Sequence, residues 1–157
     1  MAKRKIVIRL LLIGAAILFA AVGVGLFLFN KPHRDVQATA VDVTITADAL
    51  VREFLSNPPA ASEKYLDESG DSKIIAVSGT VHSSTMDLKG QVVVLLKSTE
   101  NAGVSCTFMQ ASNSHAESLK PGDQITVKGV IRSGAGFDPD LELYEDVVLE
   151  QCDILKK

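Results

Sequence analysis

The sequence predicts a mainly β protein: a five-stranded barrel with two short helices before it and one helix between strands, behind an N-terminal transmembrane helix. Three observations carry this. Residues 10–29 form an unbroken run of twenty uncharged, mostly apolar side chains. After Asp71 the apolar pattern changes from a helical to an alternating period. Five alternating or continuously apolar segments then follow, with one helical piece between the third and the fourth.

The apolar run comes first. At ~1.5 Å per residue a helix of that length covers ~30 Å, the thickness of a bilayer's hydrocarbon core. Lys3, Arg4, Lys5 and Arg9 precede it, and Lys31 and Arg34 follow it. This four-to-two asymmetry places the N-terminus in the cytoplasm and the rest of the chain outside the cytoplasmic (inner) membrane, in a periplasmic or otherwise extracytoplasmic setting. A cleaved signal peptide has a shorter apolar region with its small-residue site close behind. Here Ala38-Thr39-Ala40 lies well past the end of the run. The expected organisation is a basic N-terminus at 1–9, a single-pass anchor at 10–29, a linker at 30–45 and a folded domain at 46–157.

Within the domain, Thr46 is placed to cap a helix through Leu55, with Asp48 in the first turn, where negative charge suits the helix dipole. Leu50, Val51, Phe54 and Leu55 form its apolar stripe, and Asn57-Pro58-Pro59 ends it. A second short helix covers Ala60 to Leu66, and Glu68-Ser69-Gly70-Asp71 is a turn. The first strand, Lys73 to His82, puts Ile75, Val77, Gly79 and Val81 on one face. The second, Gln91 to Lys97, is continuously apolar, as for a strand covered on both sides. The third alternates Val104, Cys106 and Phe108 with Ser105, Thr107 and Met109. A helical piece, Asn113 to Leu119, stops at Lys120-Pro121-Gly122-Asp123. The fourth strand, Gln124 to Arg132, alternates again, and the fifth runs from Val147 towards Ile154. Five strands with a helix after the third is the order of an OB barrel.

Several short motifs in this order carry a family likeness. They are the segment from Leu119 to Gly129, the juxtamembrane Asn30-Lys31-Pro32-His33-Arg34-Asp35, Gly79-Thr80-Val81, Val104-Ser105-Cys106 and the closing Cys152. With them the whole chain resembles the bacterial tRNA_anti-like family. The resemblance implies an OB fold behind a membrane anchor and supplies no catalytic residues. The family's name implies single-stranded nucleic acid (RNA or DNA) as a ligand.

Composition weighs against that ligand. Residues 31–157 hold 12 basic and 19 acidic side chains, a net of −7, which repels phosphate backbones. The chain has no Trp, and the domain's aromatics are Phe54, Tyr65, Phe108, Phe137 and Tyr144. They do not interleave with basic residues in the way of single-strand binders.

The candidate sites are few. Cys106 and Cys152 fall in strands that are neighbours in an OB barrel, so a cross-strand disulfide is one reading, favoured by an oxidising compartment. Two buried free thiols are the other. His33, His82 and His115 are scattered, and His82-Ser83-Ser84 has no partner acid, so it reads as a solvated loop. No cysteine and histidine cluster has zinc spacing. The acidic stretch Asp138-Pro139-Asp140-Leu141-Glu142, with Glu145 and Asp146, is unlike an EF-hand and reads as a mobile, solvated hairpin loop. OB folds take ligands on the outer surface around strands two and three. Here Lys89, Lys97, Ser105, Thr107 and Met109 would line that face. The expectation is a membrane-anchored binding or interaction module with no enzymatic activity, no cofactor and no metal, contacting the lipid bilayer through residues 10–29 and a protein, peptide or glycan partner at the envelope.

Overall fold

Alternating apolar side chains close a five-stranded barrel around one core. The computed structural model of the protein describes residues 35–156, together with Gly14, Ala20 and residues 22–25. Asp35–Lys157 forms one compact unit, separate from Met1–Arg34. Apart from those few positions, the run 10–29 and its basic flank at 1–9 lie outside the described residues. Among the described residues no helix is long and apolar enough to cross a membrane.

The elements are β1 (Val43–Thr46), α1 (Ala47–Ser56), α2 (Pro58–Tyr65), β2 (Ile74–Met86), β3 (Val92–Lys97), β4 (Val104–Phe108), a 3-10 turn (Gln110–Ser112), α3 (Asn113–Ala116), β5 (Gln124–Ser133), β6 (Gly136–Asp138), β7 (Leu143–Glu145) and β8 (Val147–Lys156). The barrel order is β2-β3-β4-β8-β5, and β5 pairs back onto β2 to close it. All its pairings are antiparallel except β4 with β8. The long β2 serves two neighbours: its first half lies against β5 and its second half against β3. Val77, Val94, Leu96, Cys106, Phe108, Val127, Ile131 and Leu149 fill the interior and are fully buried. This is the mainly β OB barrel expected from the strand pattern.

The helix α1 forms as its sequence dictates. Thr46 Oγ1 accepts the Ala49 amide at 3.2 Å, and Leu50, Val51 and Phe54 turn into the core. Phe54 meets Tyr65 of α2 with ring centroids 5.7 Å apart. Pro58 and Pro59 stop α1 and also start α2, where Asn57 caps by accepting the Ala60 amide. A proline in the first turn lacks only an amide that would have had no helical partner.

The segment read as a linker is part of the fold. β1 lies parallel to the first half of β2, pairing Val43 with Ile75 and Ile45 with Val77. Before it, residues 35–42 run as a strap over the outside of β2, β5 and β8. Val36 is buried there against Ile74 and Val130. Lys128, 6% exposed, donates to the carbonyls of Gln37 at 2.8 Å and Thr39 at 2.5 Å. Gln37 Nε2 donates to the carbonyl of Gln151, the left-handed residue at an irregularity in β8. The Asp42 amide donates to the Ile74 carbonyl, and its Oδ2 accepts the Ile74 amide, both at 2.8 Å.

Candidate ligand face and its loops

With the strap over β2 and β5, the barrel's open sheet surface is the outside of β2, β3 and β4. Two rows of outward residues cross it: Ser83, Leu95 and Ser105, then Thr85, Val93 and Thr107. Val148 of β8 continues the first row. These side chains are half-buried or exposed, and the surface they make is hydroxyl and aliphatic, without an aromatic ring or a charge at its centre.

The five residues expected to line this face divide between its middle and its two ends. Ser105 and Thr107 are half-buried in the middle, opposite Leu95 and Val93. Lys89 and Met109 mark one end. Lys89 sits in the β2–β3 turn, its carbonyl accepting from Gln110 Nε2, and Met109 precedes the 3-10 turn. Lys97 marks the other end, opposite Thr80. Since β3 lies between them at ~3.4 Å per residue, the two lysines stand at opposite ends of a strand and make no joint basic patch.

His82 is in a strand and not in a loop. β2 continues to Met86, and the pairing with β3 shifts between Val81 and Ser83, so His82 is the extra residue of a bulge. It is exposed beside a pocket of about 220 Å³ lined also by Leu95, Lys97, Asn101 and Asp146. The larger groove, about 460 Å³, lies away from the sheet between α1 and α2, with Arg52, Glu53, Asn57, Ala60 and Lys64 on its walls. There Glu53 accepts from Lys64 Nζ at 2.8 Å and from the Tyr65 hydroxyl at 2.9 Å, and the Lys64 bond holds its carboxyl below the ordinary range.

The loop between the fourth and fifth barrel strands is ordered as a two-stranded ribbon, β6 with β7, pairing Phe137 with Tyr144. Both of its ends are tied down. At one end Phe54 lies so close to Gly134 that a Cβ there would stand 2.1 Å from the ring, so only glycine fits. At the other, Asp146 Oδ1 accepts the Gly103 amide at 2.6 Å and the Val147 amide donates to the Gly103 carbonyl at 3.0 Å. Asp48 ties the β3–β4 loop to α1 by accepting the Thr99 amide at 2.6 Å, which lowers its own pKa. At the ribbon's tip Asp138 Oδ1 accepts the amides of Asp140 and Leu141. The acidic stretch, expected as a mobile hairpin loop, is a hairpin whose arms pair as strands. Its clue was the apolar set Phe137, Leu141, Leu143 and Tyr144 around the turn.

Cys106 on β4 and Cys152 on β8 lie side by side, both fully buried in the barrel interior. Burial pushes the Cys152 thiol well above its ordinary pKa, and the adjacent Cys106 raises it further. His115 contacts Asp153 at 2.8 Å on the surface. Among the described residues no three His, Cys, Asp or Glu gather as metal ligands.

A family model described as tRNA_anti-like matches residues 1–140. Among solved structures, a Klebsiella pneumoniae lipoprotein described as a candidate nucleic-acid binder is 19% identical, with a TM-score of 0.53, over 80% of this chain and 99% of that one. At that identity the likeness is one of fold. The S. pombe Stn1–Ten1 complex gives 18% identity and a TM-score of 0.38, over 56% of this chain and 62% of that one. An asparaginyl-tRNA synthetase of Entamoeba histolytica gives 11% and 0.42, over 75% of this chain, which spans about a quarter (24%) of the synthetase chain. No curated protein matches.

Proposed function

We propose a function from the premise that this chain belongs to the tRNA_anti-like family. It is a binding module without catalytic activity, anchored through residues 10–29 in the cytoplasmic membrane, with its OB barrel on the extracytoplasmic side and a protein, peptide or glycan as partner. One observation carries this reading: the open face of β2, β3 and β4 is a neutral surface of Ser, Thr, Val and Leu, with its two lysines at opposite ends. Such a surface offers hydrogen bonds and apolar contact. It supplies neither the continuous positive charge that tracks a phosphate backbone nor rings on which bases stack.

A second reading, single-stranded nucleic-acid binding on the same face, is favoured by the description of the Klebsiella lipoprotein. The domain's acidity opposes it. Fluorescence anisotropy with labelled oligothymidine and oligouridine of about twenty nucleotides separates the two. The expected outcome is no binding up to about 100 μM at about 0.15 M salt, weaker than ordinary non-specific affinity. Micromolar binding that falls steeply with added salt would replace the first reading with the second.

A further inference from the structure

The β6–β7 hairpin combines three properties that are seldom found together on an unpartnered surface. It is apolar and exposed: Phe137 is 52% exposed, Leu141 66%, Leu143 45% and Tyr144 39%. The two rings pair across the ribbon with centroids 4.9 Å apart at an interplanar angle of 51°. It is also strongly acidic. Asp138, Asp140, Glu142, Glu145 and Asp146 lie in or beside it, and no Lys or Arg occurs from Ser133 to Leu155. Among the described residues none of these five carboxylates is in an ion pair. Finally, it is held at both ends, by Phe54 against Gly134 and by Asp146 and Val147 on Gly103. Order of this kind lowers the entropic cost of binding.

We infer that this hairpin is a docking surface for a cationic, arginine-bearing segment of another protein. The inference rests on the binding-module reading above and names the chemistry of its partner. Charge complementarity selects the occupant. A guanidinium stacks on an exposed Phe or Tyr ring and bonds carboxylates in its plane, so a ring pair on a hairpin that carries five acids and no base offers both. Leu141, exposed at the tip, offers apolar contact to the stem of an incoming side chain. The same charges turn away other occupants. Phosphate backbones and anionic lipid surfaces are repelled, and a second copy would set five carboxylates against five.

The test uses the full chain in a non-ionic detergent and labelled octapeptides of alternating arginine and alanine, lysine and alanine, or glutamate and alanine, read by anisotropy. The arginine peptide is expected to bind about threefold or more tighter than the lysine peptide, and the glutamate peptide not to bind. The double variant Phe137→Ser with Tyr144→Ser keeps every charge and is expected to weaken the arginine peptide about tenfold, with an unchanged melting temperature. A second variant, Asp140→Asn with Glu142→Gln and Glu145→Gln, leaves the rings and the turn-forming Asp138 in place and is expected to weaken both cationic peptides. Equal affinity for arginine and lysine peptides, or an unchanged affinity in the ring variant, overturns the inference. So does self-association or binding to phosphatidylglycerol vesicles that the ring variant abolishes. If oligothymidine stays unbound in any of these cases, the binding-module reading survives. Tight oligothymidine binding overturns that reading as well.

Discussion

The barrel has two outward surfaces of opposite fate. On one, β2 and β5 lie under the strap 35–42, whose Val36 packs on Ile74 and Val130 and whose carbonyls hold Lys128, with α1 pressed across the adjoining end. On the other, β3 and β4 present Ser105, Thr107, Val93 and Leu95 outward, and among the described residues nothing is laid over them. The difference shows how an OB barrel assigns its surfaces. The part of the chain that precedes the barrel covers one flank, and the flank left open is the one where such barrels take ligands. Stability should therefore respond strongly to substitutions on the covered side and weakly to those on the open side.

The largest effect is expected at Phe54, the ring that joins α1 to Tyr65 and rests on Gly134. Phe54→Ala should lower unfolding free energy by about 3–5 kcal/mol, the usual range for removing a buried aromatic. Denaturant melts would show it as a lower midpoint. The same variant frees the stem of the β6–β7 hairpin, so hydrogen exchange at Phe137 and Tyr144 should speed up. Next comes Lys128→Ala. It removes the charged donor shared by the Gln37 and Thr39 carbonyls, and hydrogen bonds to charged groups contribute about 1.5–3 kcal/mol. Limited proteolysis should then cut first within 35–42 while the barrel stays intact. Equal resistance in variant and parent would mean that the strap holds by Val36 and its backbone bonds alone.

Much of this architecture is legible in the sequence, because burial inside a barrel imposes a period of two. Ile125, Val127, Gly129 and Ile131 against Thr126, Lys128, Val130 and Arg132 read correctly as inward and outward sets. What escaped was structure that does not repeat. The strap packs through backbone carbonyls and a single valine, so residues 30–45 look like a linker. The signal lay elsewhere: Val130 and Ile74 are apolar on what should be the wet face of their strands, which means that something covers them. The bulge at His82 ended the first strand early by breaking its alternation, although pairing continues to Met86. In sequence Pro58 and Pro59 look like a stop alone, but Asn57 closes one helix and opens the next. The five residues expected together on the open face are spread along it. Lys89 and Lys97 are eight positions apart in sequence, and only the extended strand between them shows that they cannot act together.

The smallest effect is the one that decides whether the open face is open for use. Thr107 is half-buried in the middle of β4, opposite Val93. A residue kept there for folding would show its loss in stability, as Lys128 should on the covered flank. Thr107→Ala is expected to change unfolding free energy by no more than about 0.5 kcal/mol, the range of ordinary surface substitutions. Measured beside Lys128→Ala in the same denaturant series, the ratio of the two effects gauges the contrast between the flanks without reference to any ligand. If Thr107→Ala costs as much as Lys128→Ala, the β3–β4 surface is held by structure as firmly as the strapped side, and its neutral hydroxyl rows serve the barrel instead of a partner.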